Sequence, residues 1–316
     1  MNEIETLPAL VDIEAAAERL VPYMRRTPVL PLSATYGSVP GELWVKLECL
    51  QHTGSFKPRG AFNKLLSVPE RERSVGVAAV SGGNHGLGVS FAALRLGIPA
   101  TIFLPVYASP VKQQRIAALG ARIVLSETIA EAFTRAAAHV AETGAVMVHP
   151  YADPLVVCGQ GTVGLEFVAD APALDTLVVA IGGGGLMAGV AVAAKALSPG
   201  IRIIGAEPEG AATMTAALAA GHPVTLPSIG SVAADSLGAP DVAPLNFAAG
   251  RDLLDEVVLV SDEEIVLARS WLWLEHNVAA ENGGVTALSA YLAGKTGNLG
   301  GRTGVIVCGA NIDLGW

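Results

Sequence analysis

The sequence predicts an α/β fold built from two closely packed parts. Short apolar segments alternate with helical segments from Val75 to Pro150, and the same alternation resumes after Pro150. Repeated strand–helix units of this kind build parallel sheets with helices on their faces. The 36 glycines and the apolar content of 51% indicate a well-packed chain with many tight turns. We therefore expect a cleft between two α/β parts.

The individual elements follow from apolar periodicity and capping residues. A helix is predicted at 12–24, where Asp12 can cap the first turn and Pro22 disturbs the last. Strands are predicted at 43–47, 75–80, 100–104, 122–125, 145–148, 176–181, 201–206 and 304–307. Further helices are predicted at 85–96, from Ser109 onwards, at 129–142, 162–168 and 186–197, and from Ser261, which forms a capping box with Glu264.

Composition and charge narrow the functional classes. The net charge of −9 argues against a nucleic acid or an anionic membrane as partner, because either would need a basic face. Three widely spaced cysteines, Cys49, Cys158 and Cys308, do not suit a disulfide framework or a zinc site. Glu3 and Glu5 stand where a signal peptide would need positive charge, and no apolar run could span a bilayer. We expect a soluble, cytoplasmic protein.

The segment GSFKPRGA, residues 54–61, places Lys57 after an aromatic residue and at a predicted helix start. A primary amine attacks carbonyl groups when part of its population is neutral, which requires burial or a nearby cation. Phe56 can form an apolar wall for a flat cofactor, and Pro58 is tolerated in a first helical turn. We interpret Lys57 as a Schiff-base lysine. The alternative is an ordinary surface lysine, which this segment alone favours.

The loop SGGNHG, residues 81–86, joins a predicted strand to a predicted helix. Open parallel sheets bind their ligands at loops that follow strands. Consecutive glycines bring backbone N–H groups close to an anion, and the helix N-terminus adds partial positive charge. A substrate carboxylate is therefore expected against Ser81, Gly82, Gly83, Asn84 and His85. A tight turn with a polar cap is the alternative interpretation.

A second glycine loop follows a later strand and consists of Gly182, Gly183, Gly184 and Gly185, before Leu186. Its backbone amides can form a nest for a phosphate at a helix N-terminus. No Lys followed by Ser or Thr comes after it, so it is not a Walker sequence. It also departs from the GxGxxG spacing, although Glu207 lies near the distance of that motif's acidic residue. A single phosphate fits better than a nucleotide, which remains the weaker alternative.

Cys308 begins the loop after the last predicted strand, in the segment VCGAN. A small core residue is the usual role of a free buried cysteine. A catalytic thiol is not expected, because the local sequence supplies no base. A thiol at a strand end can instead form a hydrogen bond to a heterocyclic nitrogen.

The motifs SFKPRG, SGGNHG, GGGGL and VCGAN, in this order, resemble those of fold type II pyridoxal-phosphate enzymes, and more narrowly the serine/threonine dehydratase and serine racemase family. The resemblance extends from about residue 26 to residue 314. It implies a tryptophan synthase β-like fold with two open, twisted, mostly parallel sheets and flanking helices. It also implies a large domain of residues 1–74 and 150–316, a small domain of residues 75–149, and a homodimer.

The same resemblance implies roles for the motif residues. Lys57 would bind pyridoxal phosphate through a Schiff base, with Phe56 against the ring and Asn84 bonded to its phenolic oxygen. The phosphate would lie against residues 182–186, and Cys308 would face the pyridine nitrogen. Because a thiol does not keep that nitrogen protonated as a carboxylate would, loss of a β-substituent is favoured over transamination. Lys57 is then the natural base for the Cα proton.

Departures from relatives bear on the reaction and on metal binding. Eukaryotic-type racemases have a serine as second base where this chain has Gly82, so we expect little racemisation. Members with a divalent-metal site have a second acidic residue where Thr213 stands. The segment SLGA, residues 236–239, instead resembles the one by which some serine dehydratases offer backbone carbonyls to a monovalent cation. This resemblance implies a cation such as K⁺ at Glu207, Ala211, Leu237 and Ala239. A contribution from Glu209, or no cation at all, is the alternative.

Three hypotheses of function follow from these observations. The first is a dehydratase, or ammonia-lyase, that converts L-threonine, L-serine or a 3-substituted serine to a 2-oxo acid and ammonia. The second is another activity on the same cofactor or scaffold: a serine racemase, a β-replacement enzyme or a 3-hydroxyaspartate dehydratase. The third is a non-catalytic ligand sensor, which the intact Lys57 opposes. The motifs do not fix the side chain of the substrate, because residues outside them surround it.

Overall fold

The computed structural model describes residues 6–33, 41–297 and 301–312. Within them the helices are Leu10–Leu20 (α1), Lys57–Ser67 (α2), Glu70–Arg73 (α3), Asn84–Leu96 (α4), Pro110–Ala118 (α5), Ile129–Thr143 (α6), Pro154–Asp170 (α7), Gly185–Leu197 (α8), Thr213–Ala220 (α9), Ala234–Leu237 (α10), Pro244–Leu253 (α11), Asp262–His276 (α12) and Asn282–Leu292 (α13). The strands are Val29–Leu32 (β1), Glu42–Leu47 (β2), Val77–Val80 (β3), Ala100–Pro105 (β4), Arg122–Ser126 (β5), Val146–Met147 (β6), Thr176–Ala180 (β7), Arg202–Pro208 (β8), Glu256–Val260 (β9) and Arg302–Val307 (β10). Glu3, Glu5 and residue 314, on which the sequence predictions also drew, lie outside the described residues.

The larger sheet has the strand order β1-β2-β10-β7-β8-β9. Its neighbouring strands are parallel except for β1 and β2. The last strand, β10, lies between β2 and β7, with Val305 opposite Val45 on one side and Val178 on the other. Every residue of β7 is buried, as expected for a parallel strand covered by helices on both faces. The early and late parts of the chain therefore share one sheet.

The smaller sheet has the order β5-β4-β3-β6 and is parallel throughout. Its central strands β3 and β4 are fully buried. The predicted α/β class with two mainly parallel sheets is confirmed. In both sheets the glycine loops follow the carboxyl ends of strands, the loop 81–83 after β3 and the loop 182–184 after β7. No described helix combines the length and the hydropathy needed to cross a membrane.

Helix α7 is longer than predicted. It begins at Pro154 instead of residue 162, and the carboxylate of Asp153 caps it by accepting a hydrogen bond from the Leu155 N–H at 2.9 Å. Gly159 lies in its interior, where glycine normally weakens a helix. Here a methyl group on Gly159 would lie 2.5 Å from the carbonyl oxygen of Arg59. The glycine lets α7 pack directly on the backbone of α2, which the local sequence could not show.

The capping prediction at the N-terminus also needs correction. Helix α1 begins at Leu10, so Asp12 lies within its first turn and is not the residue that precedes it. Its carboxylate accepts a hydrogen bond from the backbone N–H of Ala9 at 2.8 Å. The side chain still stabilises the helix N-terminus, but from inside the turn. The predicted capping box at Ser261 and Glu264 is confirmed at the start of α12.

A buried cluster of ion pairs joins α2 to β2 and α7. Arg59, which is 1% exposed, donates hydrogen bonds of 2.8 Å to both carboxylate oxygens of Glu48 and to both of Glu166. Lys46, on β2, donates to Glu166 at 2.6 Å and to the carbonyl oxygen of Thr27 at 2.9 Å. Two cations and two carboxylates balance, so the cluster carries no net charge. Its geometry compensates the cost of removing these groups from water.

The contact between α7 and α2 yields a stability prediction. Gly159→Ala should lower the free energy of unfolding by about 1 to 3 kcal/mol, because the added methyl group overlaps the backbone of α2. Urea denaturation would measure the change. Gly200→Ala is the matched control, since a methyl group there has no neighbouring atom within 4 Å. Equal stabilities of the two variants would contradict the close packing.

Candidate active site

A cavity of about 480 Å³ lies where loops from the two sheets meet. The smaller sheet contributes the loop after β3 and the start of α4, and the larger sheet contributes the loops after β7 and β10. The start of α2 also lines the cavity. The residues that the sequence motifs singled out line this one space: Phe56, Lys57, Ser81, Gly82, Gly83, Asn84, His85, Gly182, Gly183, Gly184, Gly185, Leu186 and Cys308.

Lys57 is the first residue of α2, and its amine points into the cavity region. Nζ donates a hydrogen bond to the carbonyl oxygen of Pro150 at 2.9 Å and lies 5.1 Å from the centre of the Phe56 ring. Burial lowers the pKa of Lys57 to about 8, while Cys308 and Glu281 oppose the shift. A neutral amine is therefore available close to neutral pH, as carbonyl attack requires.

The loop after β7 leaves no room for side chains. A methyl group on Gly182 would lie 3.1 Å from the Cα atom of Leu237. A methyl group on Gly183 would overlap the ring of Tyr151, which also lines the cavity. Glycine is therefore required here by close approach on both sides of the loop, and Gly182 and Gly183 line the cavity with backbone alone.

The end of the same loop is held in shape by Asn246. Its Nδ2 donates hydrogen bonds to the carbonyl oxygens of Gly183 at 2.6 Å and of Tyr151 at 3.0 Å. Gly184 has a φ of +86°, a left-handed conformation that glycine adopts without strain. Helix α8 begins at Gly185, so the first backbone N–H groups of the helix have no partner within it. The loop and the helix start form a cradle suited to a phosphate.

The loop after β3 prepares a second anion site. The hydroxyl of Ser81 accepts a hydrogen bond from the N–H of Gly83 at 3.1 Å, and α4 begins at Asn84. His85 is buried, and its Nε2 lies 2.9 Å from the carbonyl oxygen of Val148. Burial, with the nearby Lys57, lowers the pKa of His85 to about 3. The ring is thus neutral and donates to Val148, so it fixes the start of α4 without adding charge.

The side chain of Asn84 is oriented by two partners. Its Nδ2 donates to a carboxylate oxygen of Glu281, and its Oδ1 accepts from Asn311 at 2.7 Å. Asn311 in turn accepts from Arg115 at 2.6 Å. Burial raises the pKa of Glu281, although Lys112 opposes the shift, and its other oxygen has no hydrogen-bond partner among the described residues. The cavity wall therefore includes a buried carboxyl group whose pKa lies above its usual range.

Glu281 is a cavity residue that the sequence analysis missed. A signal for it exists, because Asn282, Gly283 and Gly284 follow it and open α13. This is another pair of glycines at a helix start, as in the loop after β3. A carboxylate directly before such a pair could have been listed as a candidate.

An ion pair beside the anion loop was also missed. Lys112 on α5, which is buried, pairs with Asp235 on α10. The pair links the helices of the smaller sheet to the segment that follows the larger sheet's β8. A methyl group on Gly83 would lie 3.3 Å from the carbonyl oxygen of Asp235 and 4.0 Å from Nζ of Lys112, so the pair lies against the anion loop. The two residues are 123 positions apart, and neither lies in a recognisable motif.

Cys308 lies at the end of β10 and faces the cavity. Its Sγ donates to the carbonyl oxygen of Gly283 at 3.6 Å. Burial raises the pKa of the Cys308 thiol far above its usual range, with a further contribution from Glu281. The group is therefore a neutral thiol and not a nucleophilic thiolate. Cys49 and Cys158 are likewise buried and free.

Of the predicted cation ligands, Leu237 and Ala239 line the cavity, and Ala211 and Glu207 are fully buried. The hydroxyl of Thr213 links the two sets, since it donates to Glu207 at 3.2 Å and to the carbonyl oxygen of Gly182, which packs on Leu237. The carboxylate of Glu207 accepts hydrogen bonds from the N–H groups of Met214 at 2.7 Å and Thr215 at 2.9 Å. It also accepts from the hydroxyl groups of Thr213 and Thr215. Glu207 therefore stabilises the start of α9 with its own protein partners. No group of three or more His, Cys, Asp or Glu side chains in the described ranges could hold a metal ion.

The cavity fits pyridoxal phosphate in three respects. It offers a partly neutral lysine amine to an aldehyde, a side-chain-free cradle at a helix N-terminus to a phosphate, and apolar surface from Phe56 to a planar ring. The buried Glu281 oxygen and the Nδ1 of His85 lack partners among the described residues. Unpaired buried polar atoms of this kind are expected where a polar ligand belongs.

Comparison with known proteins identifies the family. Residues 20–309 match the family model described as "Pyridoxal-phosphate dependent enzyme", and the chain belongs to this family. Over 310 residues it is 41% identical to the phenylserine dehydratase of Ralstonia pickettii. The aligned region covers 98% of this chain and 94% of that protein. It is 39% identical to the L-threonine ammonia-lyase of Thermotoga maritima, with 96% of this chain and 76% of that protein covered. The structure of maize serine racemase matches with a TM-score of 0.93 at 38% identity, over 98% of this chain and 95% of that one. The resemblance that the motifs indicated is confirmed.

The lowered pKa of Lys57 predicts how cofactor attachment depends on pH. A lysine amine is neutral above its pKa, so attachment of pyridoxal phosphate to the cofactor-free protein should reach half its maximal rate near pH 8 and not near 10.5. Borohydride reduction followed by peptide mass spectrometry would measure labelling at Lys57. Lys57→Ala is the control and should lose the label. A half-maximal rate near 10.5 would contradict the effect of burial.

Proposed function

We propose that the protein is a pyridoxal-phosphate-dependent dehydratase, or ammonia-lyase, that eliminates water from a β-hydroxy amino acid. The unsaturated product then takes up water and yields a 2-oxo acid and ammonia. The observation that carries this proposal is the position of Lys57: its amine lies in one cavity with two glycine-lined anion sites. The names of the relatives support it, since a phenylserine dehydratase and an L-threonine ammonia-lyase are among them.

Each part of the cofactor has residues suited to hold it. Lys57 would carry it covalently, the segment 182–186 would bind its phosphate, and Phe56 would lie against its ring. Asn84 would bond the phenolic oxygen, and Cys308 would face the ring nitrogen. When bound, the cofactor withdraws electrons from Cα of the substrate.

The chain's own residues then determine the reaction. The backbone N–H groups of residues 81–85 hold the substrate carboxylate, and this fixes Cα in the cavity. Lys57 would serve as the base for the Cα proton, a task suited to an amine with a pKa of about 8. Because Cys308 is a neutral thiol, it would not keep the ring nitrogen protonated as a carboxylate would, and the cofactor would withdraw electrons from Cα less strongly. Departure of the β-hydroxyl group is then the favoured outcome.

Racemisation is the second candidate, because serine racemases are among the relatives. It requires a proton donor on the face of Cα opposite Lys57. Gly82 supplies no side chain there, and a methyl group at this position would overlap Cβ of Ala108. The tight packing of Gly82 on Ala108 argues for elimination over racemisation.

Further features are proposed on the resemblance alone. We place residues 1–74 and 150–316 in a large domain and residues 75–149 in a small one, and we propose a cytoplasmic homodimer. Potassium near Glu207 also stays a prediction. Glu207 does not require it, since its carboxylate already has four hydrogen-bond donors from α9.

The proposed reaction predicts the product. The unmodified protein should convert an L-β-hydroxy amino acid to its 2-oxo acid with negligible D-isomer, because a placed acid is typically worth about a hundredfold to ten-thousandfold in rate. Gly82→Ser should raise the share of D-isomer when combined with Ala108→Gly, which makes room for the hydroxyl. Chiral chromatography with an oxo-acid assay would measure both products.

Ala108→Gly alone is the control for this experiment, since it opens the same space without adding a proton donor. Comparable amounts of D-isomer and oxo acid from the unmodified protein would overturn the dehydratase proposal. That result would favour a racemase with a second base elsewhere.

Cys308 provides a separate prediction. Cys308→Ser should keep much of the elimination activity, because a hydroxyl group is also a neutral hydrogen-bonding group and the thiol is not ionised. Oxo-acid release and cofactor content would be measured together. Complete loss of activity with the cofactor still bound would show that the thiol has a chemical role of its own.

A further inference from the structure

We propose that the preferred substrate carries a large apolar group on Cβ, with an aromatic ring as the best fit. This inference rests on the proposed elimination reaction and specifies its substrate. It comes from the wall of the cavity next to the anion loop, which the sequence motifs do not include. We call this surface the apolar wall and define it as Tyr107, Ala108, Ile129 and Phe133.

The topology places the apolar wall beside the substrate carboxylate. The anion loop follows β3, the segment with Tyr107 and Ala108 follows β4, and Ile129 begins α6 after β5. These three strands are adjacent and parallel, so their carboxyl ends lie at one edge of the sheet. A substrate held by its carboxylate at residues 81–85 therefore projects its β-substituent within reach of the neighbouring loops.

Phe133 gives the wall an aromatic surface with a fixed orientation. Its ring stacks on His149, with centroids 5.8 Å apart and planes inclined by 29°. His149 meets Tyr151 edge to face at 4.8 Å, and its Nδ1 accepts a hydrogen bond from the N–H of Ala152 at 2.8 Å. Burial lowers the pKa of His149 to about 4, so the stack is uncharged. Aromatic rings prefer such stacked or edge-on neighbours.

The charges around the wall are already paired. The Asp235 carboxylate that faces the cavity is bound to Lys112, and the hydroxyl of Tyr151 donates to Asp241 at 3.3 Å. Besides Lys57, no lysine or arginine in the described part of the chain lines the cavity, and its acidic residues are Asp235 and Glu281. An acidic β-substituent would meet no free cation there. This argues against 3-hydroxyaspartate as the substrate, an alternative that the sequence left open.

Small substrates would make few contacts with the apolar wall. The hydrogen on Cβ of serine and the methyl group of threonine leave the Phe133 and Ile129 side chains in contact with water. Each extra methylene group in an apolar pocket is typically worth about 10- to 200-fold in specificity. A phenyl group should therefore raise kcat/KM by at least about tenfold over the hydrogen of serine.

Competing substrates provide the first test. Oxo-acid release from 3-phenylserine, L-threonine, L-serine and 3-hydroxyaspartate would be compared as kcat/KM on the holoenzyme. We expect 3-phenylserine to lead and 3-hydroxyaspartate to be poorest. A kcat/KM for L-serine equal to or above that for 3-phenylserine would overturn the inference.

Binding without turnover provides the second test. L-Phenylalanine and L-alanine differ by a phenyl group and have no β-hydroxyl group to lose, so calorimetry can compare their affinities for the holoenzyme. We expect L-phenylalanine to bind at least about tenfold more tightly. Tighter binding of L-phenylalanine with no oxo acid from any substrate would support the apolar wall and reject the elimination reaction. Equal affinities together with active elimination would reject the apolar wall alone.

Variants of the apolar wall test whether it causes the preference for an aromatic substituent. Phe133→Ala should lower both the 3-phenylserine to L-serine ratio of kcat/KM and the L-phenylalanine to L-alanine ratio of affinities. Phe91→Ala is the matched control, because Phe91 packs on Phe62 and His52 away from the cavity wall. If Phe133→Ala does not fold, Ile129→Ser tests the same wall from an exposed position. Unchanged ratios in a folded wall variant would contradict the assignment.

Discussion

The buried ion cluster around Arg59 is the interaction on which the placement of the reactive lysine depends. Arg59 lies two residues after Lys57 in the first turn of α2, and its guanidinium is held from both sides by Glu48 and Glu166. Removing one partner from such a cluster typically costs about 3 to 5 kcal/mol, because the remaining charge is left buried and unpaired. The helix therefore cannot rotate or slide without breaking several charge-assisted hydrogen bonds. Lys57, in the same helical turn, is therefore held in a fixed position.

The cluster also explains how the first turn of α2 can carry the reactive Lys57 and be fixed to the rest of the protein through Arg59. Lys46 on β2, Glu48 directly after it and Arg59 on α2 are close in sequence, whereas Glu166 on α7 lies 107 positions after Arg59. Close approach of α2 and α7 at Gly159 brings these elements within bonding distance. The backbone contact and the ion pairs support each other, since neither could form if the helices were an ångström or two further apart.

The sequence predicted those parts of the fold that are encoded locally. Alternating strands and helices in 75–150 were recognisable, because each strand is a short apolar run followed by glycine or a capping residue. The start of α7 was not, because Gly159 reads as a weak helix former until its neighbour Arg59 is known. The same holds for Lys46, Glu48 and Glu166, which look like surface charges in sequence but are paired inside the protein.

The candidate active site was likewise predictable where it is encoded locally and not where it depends on distant residues. The two glycine loops are continuous motifs and could be found by their spacing, whereas the groups that orient them come from distant segments. Asn84 and its partner Glu281 are 197 positions apart, and neither local sequence predicts that the two side chains are in contact. Asn246, which holds the loop after β7, is also outside any motif. Sequence patterns thus identified where ligands are held, and the structure was needed to find what fixes their geometry.

The ion pair between Lys112 and Asp235 has a consequence for the release of product. The cation comes from the smaller sheet's helices and the carboxylate from the segment after the larger sheet's β8, so a movement that separates these two parts must break the pair. Coulomb attraction between the two groups adds to the barrier for opening, and dissolved salt weakens that attraction at the exposed carboxylate. Ionic strength can in this way alter turnover through the speed of opening, although neither side chain makes or breaks a bond in the substrate.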